Sequence, residues 1–127
     1  MTTTFRDATL AIVTILDAAL AEPVGSRVPN PRPTAFVRVE RTGGVRRSMV
    51  VDEATVTIEA WAASAEAAQD LAQSARSAVH EAVGAVLAGF GTVYAATELS
   101  GPGYSPDPDS GHDRYVFSIS VALRGAH

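Results

Sequence analysis

Hydrophobic residues recur along this chain with two different periods, and the switches between them mark out the elements. Phe5, Ala8, Ile12, Ile15, Leu16 and Ala19 follow helical spacing, while Arg6, Thr9 and Asp17 fall largely elsewhere. That pattern predicts an amphipathic helix from about Phe5 to Ala21, stopped at Glu22-Pro23 because proline disfavours helix in the residue before it. Val24 to Thr34 carries Pro29, Pro31 and Pro33 in alternation. Each proline fixes φ and removes a donor, so this stretch reads as an extended arm outside any central ladder.

Period-two alternation follows. Ala35 to Thr42 places Val37 and Val39 on one face and Arg38 and Glu40 on the other. Val50 to Trp61 sets Ala54, Val56, Ile58 and Ala60 against Thr55, Thr57 and Glu59. Gly43-Gly44 offers the positive-φ positions of a hairpin connection, with Arg46-Arg47-Ser48 as a projecting loop. Ser64 is a helix N-cap with Glu66 in the first turn. From there Ala68, Leu71, Ala72, Ala75, Val79, Ala82, Val83 and Val86 keep helical spacing for about six turns, to an end marked by Gly89 and Gly91. A short strand from Thr92 to Leu99, a loop from Ser100 to Asp113 and a strongly alternating strand through Tyr115, Phe117, Ile119, Val121 and Leu123 complete the chain. The expectation is a single α+β domain over residues 1–127 in the order α-β-β-α-β-β. Two hairpins form one antiparallel sheet with both helices on one face.

Composition narrows the function classes. The 127 residues suit one domain. The apolar share is rich in alanine and valine, and such thin cores gain stability from subunit contacts. A formal net charge of -4 supplies no global field for nucleic acid or anionic membrane. With no cysteine, disulfides, thiolate nucleophiles and cysteine-ligated zinc are excluded, which fits a reducing compartment. Ala8 to Leu16 with Ala19-Leu20-Ala21 has some signal-peptide character, but Asp7 and Asp17 interrupt it and the stretch is too short for a bilayer. It reads as an ordinary helix.

Chemical motifs are sparse. Gly101-Pro102-Gly103 lacks the lysine and following helix of a P-loop, and no serine sits in a nucleophile elbow. His80, His112 and His127 have no second histidine at metal-sharing spacing, and His80 reads as a surface residue. The aspartates of Asp107 to Asp113 could offer oxygens to Ca²⁺, but Gly111 and Ser118 stand where ligands belong, so the loop reads as a solvated turn. Asp52, Glu53, Glu59 and Asp70 read as exposed strand and helix charges. No metal or cofactor is expected, and no catalytic residue.

Contact surfaces are the stronger signal. Arg38, Arg41, Arg46 and Arg47 gather positive charge around the first hairpin. They serve either edge protection and solubility, or docking to an acidic neighbour or DNA phosphates. The long loop, with Tyr104, Asp107 and Asp109, exceeds what a hairpin needs. Trp61 on the polar face of its strand has the character of an interface anchor.

The segments Val28-Pro29-Asn30-Pro31-Arg32-Pro33, Phe36-Val37-Arg38-Val39-Glu40-Arg41-Thr42-Gly43-Gly44, Val56-Thr57-Ile58-Glu59-Ala60-Trp61 and Tyr115 through Gly125 resemble tail terminator proteins of siphophages that infect high-GC actinobacteria. The likeness spans nearly the whole chain, and its motifs are structural; head-to-tail connector proteins have similar size. The resemblance implies a homohexameric ring that caps the tail tube, ends tube polymerisation and presents its other face to the head connector or stopper protein. It implies no cofactor, no catalytic residues and no membrane, with assembly in the host cytoplasm and residence in the virion tail. Genomic DNA would pass the lumen without sequence readout. A neck or stopper protein, a small oligomeric α+β enzyme and a monomeric binding module are the rivals.

Overall fold

A computed structural model describes residues 8–48 and 51–125. Helix α1 (Ala8–Ala19) turns Ala8, Ala11, Ile12, Ile15 and Leu16 inward, while Ala19, expected on that face, is exposed at the helix end. Its predicted start at Phe5 lies outside the described residues. The Leu20 amide still donates to the Leu16 carbonyl at 2.8 Å before Glu22-Pro23 ends the turn. The proline arm then contributes a strand after all: β1 (Val24–Gly25) pairs in parallel with the start of β2 (Phe36–Arg46). It is an edge strand, which is the position that a proline-rich segment tolerates.

Strand β3 (Val51–Ala62) pairs antiparallel with β2, and helix α2 (Ala65–Glu81) follows. The Ser64 hydroxyl accepts from the Ala67 amide at 3.1 Å and caps α2 as predicted. The helix is shorter than its alanine stripe implied. It closes at Ala82; Gly84 adopts φ 93°, and Val83 and Val86 are exposed. Gly89 lies instead in the turn between β4 (Val86–Leu87) and β5 (Gly91–Tyr104), and Gly91 opens β5 opposite Leu87. Helical spacing in the sequence continued past the point where a sheet remained to pack against, and tertiary contact decided the end.

Strand β6 (Asp113–Arg124) returns through the middle. The sheet is six-stranded, in the order β1-β2-β3-β6-β5-β4, and mixed because β1 is parallel to β2. The expected two-hairpin antiparallel sheet is therefore its four-stranded centre, lengthened at both edges. Both helices cover one face. Ile12, Leu16, Ala72 and Val79 pack there in one core with Val39, Val56, Ile58, Phe117, Ile119 and Val121.

Two turn assignments change. Gly43-Gly44 does not turn the first hairpin but lies within β2, beside a bulge at Thr42. Gly44 does adopt positive φ, 115°, where a Cβ would fall on the Glu53 carbonyl oxygen and 2.7 Å from Ala54 Cα. Glycine is needed there for backbone approach rather than for reversal. The reversal comes after Arg46, where the Arg47 amide donates to the Val51 carbonyl at 2.9 Å. At the far hairpin, β5 extends to Tyr104 with three register shifts, so ladder pairing takes up the first part of the expected long loop.

Candidate functional site

The two hairpin tips project from opposite ends of the sheet. Val51 pairs with Arg124 at one end of β3 and Ala62 with Asp113 at the other. The tip carrying Arg46 and Arg47 thus lies far from the tip carrying Asp107 and Asp109. Both tips stand out in the sequence, and the fold does not bring them together.

The arginine hairpin is not a bare positive patch. Arg38 donates to Glu59 at 3.2 Å and Glu40 at 3.4 Å, and Arg41 forks onto both Asp52 oxygens at 3.0 and 3.3 Å. Arg47 grips Glu53 at 2.7 and 3.1 Å. Over residues 36–62 the arginines and carboxylates are equal in number, so the formal charge cancels. Pairing holds the Glu53 carboxyl below its ordinary range through the Arg47 hydrogen bond and raises the Arg47 guanidinium in return. Asp52 and Glu59, expected as exposed charges, are instead largely covered, their side chains 11% and 12% exposed. Alternation places 38 and 59 on like faces, but only the pairing register sets them side by side.

Trp61 occupies the far end of the open face, as its parity predicts, but the chain encloses it. Phe36 stacks on the indole at 5.0 Å, and Arg114 and Arg32 lie over it at 5.2 and 5.8 Å. Its Nε1 donates to Glu59 at 3.3 Å, and His112 tilts against it at 5.9 Å. Trp61 is 3% exposed and braces the second loop through His112. Sequence reading missed Arg114 and Arg32 here, since nothing local marks them as tryptophan neighbours.

The loop beyond Tyr104 is a built turn. The Asp107 carboxylate accepts from the Ser110 amide at 3.0 Å and hydroxyl at 2.6 Å, which holds it below the usual carboxylate range. Gly111 closes the turn with φ 70°, its N–H donating a hydrogen bond to the Asp107 carbonyl at 2.7 Å. Tyr104 donates its hydroxyl to Asp113 at 2.6 Å, and that bond raises the phenol above its ordinary value. Arg32 reaches the Ser110 hydroxyl at 3.0 Å and ties the proline arm to this tip. Among the described residues no group of three or more His, Asp or Glu side chains converges to hold a metal.

The face opposite the helices carries a shallow depression of about 210 Å³ lined by Glu53, Thr55, Ala95, Thr97, Leu99, Ser120 and Ala122. Its one carboxylate is already committed to Arg47 and to the Ser120 hydroxyl at 3.2 Å. Small hydroxyl and methyl groups line it, and the Ser120 hydroxyl donates to a Glu53 carboxylate that Arg47 already holds below its ordinary range. Among the described residues no helix is long and apolar enough to cross a membrane.

No family model matches the chain, and no curated protein matches it. Among solved structures it is similar to a chain of the virion of a native gene transfer agent particle. The TM-score is 0.52 at 18% sequence identity, over 94% of this chain and 87% of that one. At that identity the likeness establishes a shared fold along nearly the full length of both chains.

Proposed function

We propose that this chain is a non-enzymatic structural virion protein of a phage-like particle, and within that class a tail terminator. Six copies form a ring on the head-proximal end of the tail, end tube polymerisation and offer the opposite face to the head connector. The observation that carries the reading is the full-length fold shared with a gene transfer agent virion chain. The sequence likeness of the proline arm and three strands to tail terminators supports the finer assignment. Tips at opposite ends of the sheet give a ring subunit two distinct docking ends, one with Arg46 and Arg47, the other with Tyr104, Asp107 and Asp109. Partners in this reading are further copies of the chain, the tail tube protein and the connector or stopper, with DNA crossing the lumen unread.

Light scattering or native mass spectrometry of the purified chain, followed by mixing with tail tubes and with filled heads, tests it. A ring of six that binds tube ends is the expected result. Attachment to filled heads alone would make it a neck or stopper protein. A lone subunit that joins neither particle overturns the structural role.

A further inference from the structure

Both long edges of the sheet are only partly paired among the described residues. β1 covers β2 at Val37 and Arg38, leaving Glu40 to Val45 without a ladder partner on the outer side. β4 covers β5 at Gly91 and Thr92, and the Val93 amide and carbonyl bond to Ala85 and Gly84. From Tyr94 onward the outer side of β5 has no ladder partner. Unpaired edges of this kind are templates for another strand.

Following the register across β3 and β6 shows that the two free stretches lie level. Arg41 shares its row with Glu98, Gly43 with Thr97, Gly44 with Ala96, and Val45 with Ala95. The pleat is in phase in every row: Val45 and Ala95 point to the open face, and Arg41 and Glu98 to the helix face. β2 and β5 run in opposite directions, so a copy rotated about an axis along the strands would present β5 antiparallel to β2. The rows are occupied by Gly43, Gly44, Ala95 and Ala96, which allow close approach, and one row joins an arginine to a glutamate. Arg41 and Glu98 each keep about a third of the side chain exposed, at 33% and 30%, beside their internal partners Asp52 and Arg76. Bulges at Tyr94 and Leu99 bound the run on β5, and the bulge at Thr42 interrupts β2 between the Arg41 and Gly43 rows, so pairing is confined to about four rows in a pinned register.

We infer that subunits of this chain join by strand addition, the Ala95–Glu98 edge of β5 in one copy pairing antiparallel with the Arg41–Val45 edge of β2 in the next. The inference rests on the self-assembly in the reading above and names its seam. Repeating the step uses each edge once per copy, so a closed ring leaves neither edge free.

The absence of native cysteine makes the test direct. Val45→Cys and Ala95→Cys are introduced together, and Val45→Cys with Thr97→Cys as a register-shifted pair. Within one subunit these sites lie three strand spacings apart, roughly 14 Å, beyond the roughly 7 Å reach of a disulfide. Mild oxidation should give a ladder of covalent multimers ending at the ring size for Val45→Cys with Ala95→Cys, and a weaker one for the shifted pair. Each single variant should stay uncrosslinked. An oligomer of unchanged mass without a ladder, or a dimer from either single variant alone, refutes the seam and leaves the ring standing. A chain that is monomeric in scattering and also yields no ladder removes both.

Discussion

Replacing Gly44 with alanine puts a methyl group where the Glu53 carbonyl oxygen already sits and 2.7 Å from Ala54 Cα, at φ 115°. Both obstacles are backbone atoms of β3, so no side chain can swing away. A non-glycine residue in that region costs about 1–3 kcal/mol in strain. Forcing the strands apart adds an overpacking cost of about 1–3 kcal/mol, which overlaps the first. A destabilisation of about 2–4 kcal/mol is expected, and for a chain of this length about 3–5 °C of Tm accompanies each kcal/mol. The drop should therefore be about 6–20 °C. Gly43 is the internal control: a Cβ there meets nothing within 4 Å, and its φ lies outside the left-handed region. Gly43→Ala should change stability by under about 1 kcal/mol and can be stabilising, since alanine restricts the unfolded chain more. Thermal melts followed by circular dichroism at several protein concentrations measure both variants while exposing any contribution from self-association. Equal melting of the two variants, or a worse effect at Gly43, would refute the bulge geometry and with it the placement of this hairpin.

Trp61→Ala should lower stability by about 3–5 kcal/mol in the same melts, because the stack on Phe36 is internal; a variant that melts normally but loses self-association would return Trp61 to an interface role. Arg46→Glu with Arg47→Glu should impair particle attachment with a small change in Tm, since the Arg47–Glu53 pair is solvent-exposed; normal particle assembly by the double variant would sink the docking role of that tip. Glu53 and Asp107 are depressed below ordinary values of 4.5 and 3.8, so their contribution is full above those values and is lost as pH falls through the folded ones. Asp107→Asn should flatten the acid limb of a Tm-against-pH profile, and an unchanged limb would contradict the Ser110 cage.

Much of the fold was legible in local pattern. The core faces of both helices, the inward residues of β3 and β6, and the Ser64 cap follow from periodicity and capping chemistry, because each depends only on which side of its own element a residue occupies. The candidate site was less legible. The arginines of the first hairpin read as gathered positive charge because sequence gives no register, and register alone sets Arg38 beside Glu59 and Arg41 near Asp52. Trp61 was placed on the correct face, yet its enclosure depends on Arg32 and Arg114 arriving from the arm and from β6.

Local pattern in the chain sufficed for both helices, the four central strands and most of their inward faces, since alternation and helical spacing are local consequences of backbone geometry; it did not show the short edge strands β1 and β4. Tertiary structure alone decided where α2 stops, that Gly44 serves a close strand approach, that the arm adds a parallel edge strand, and that two free edges lie level across the sheet. Those outcomes depend on distances between segments remote in the chain, and packing competition between such segments leaves no mark on the local pattern of either one.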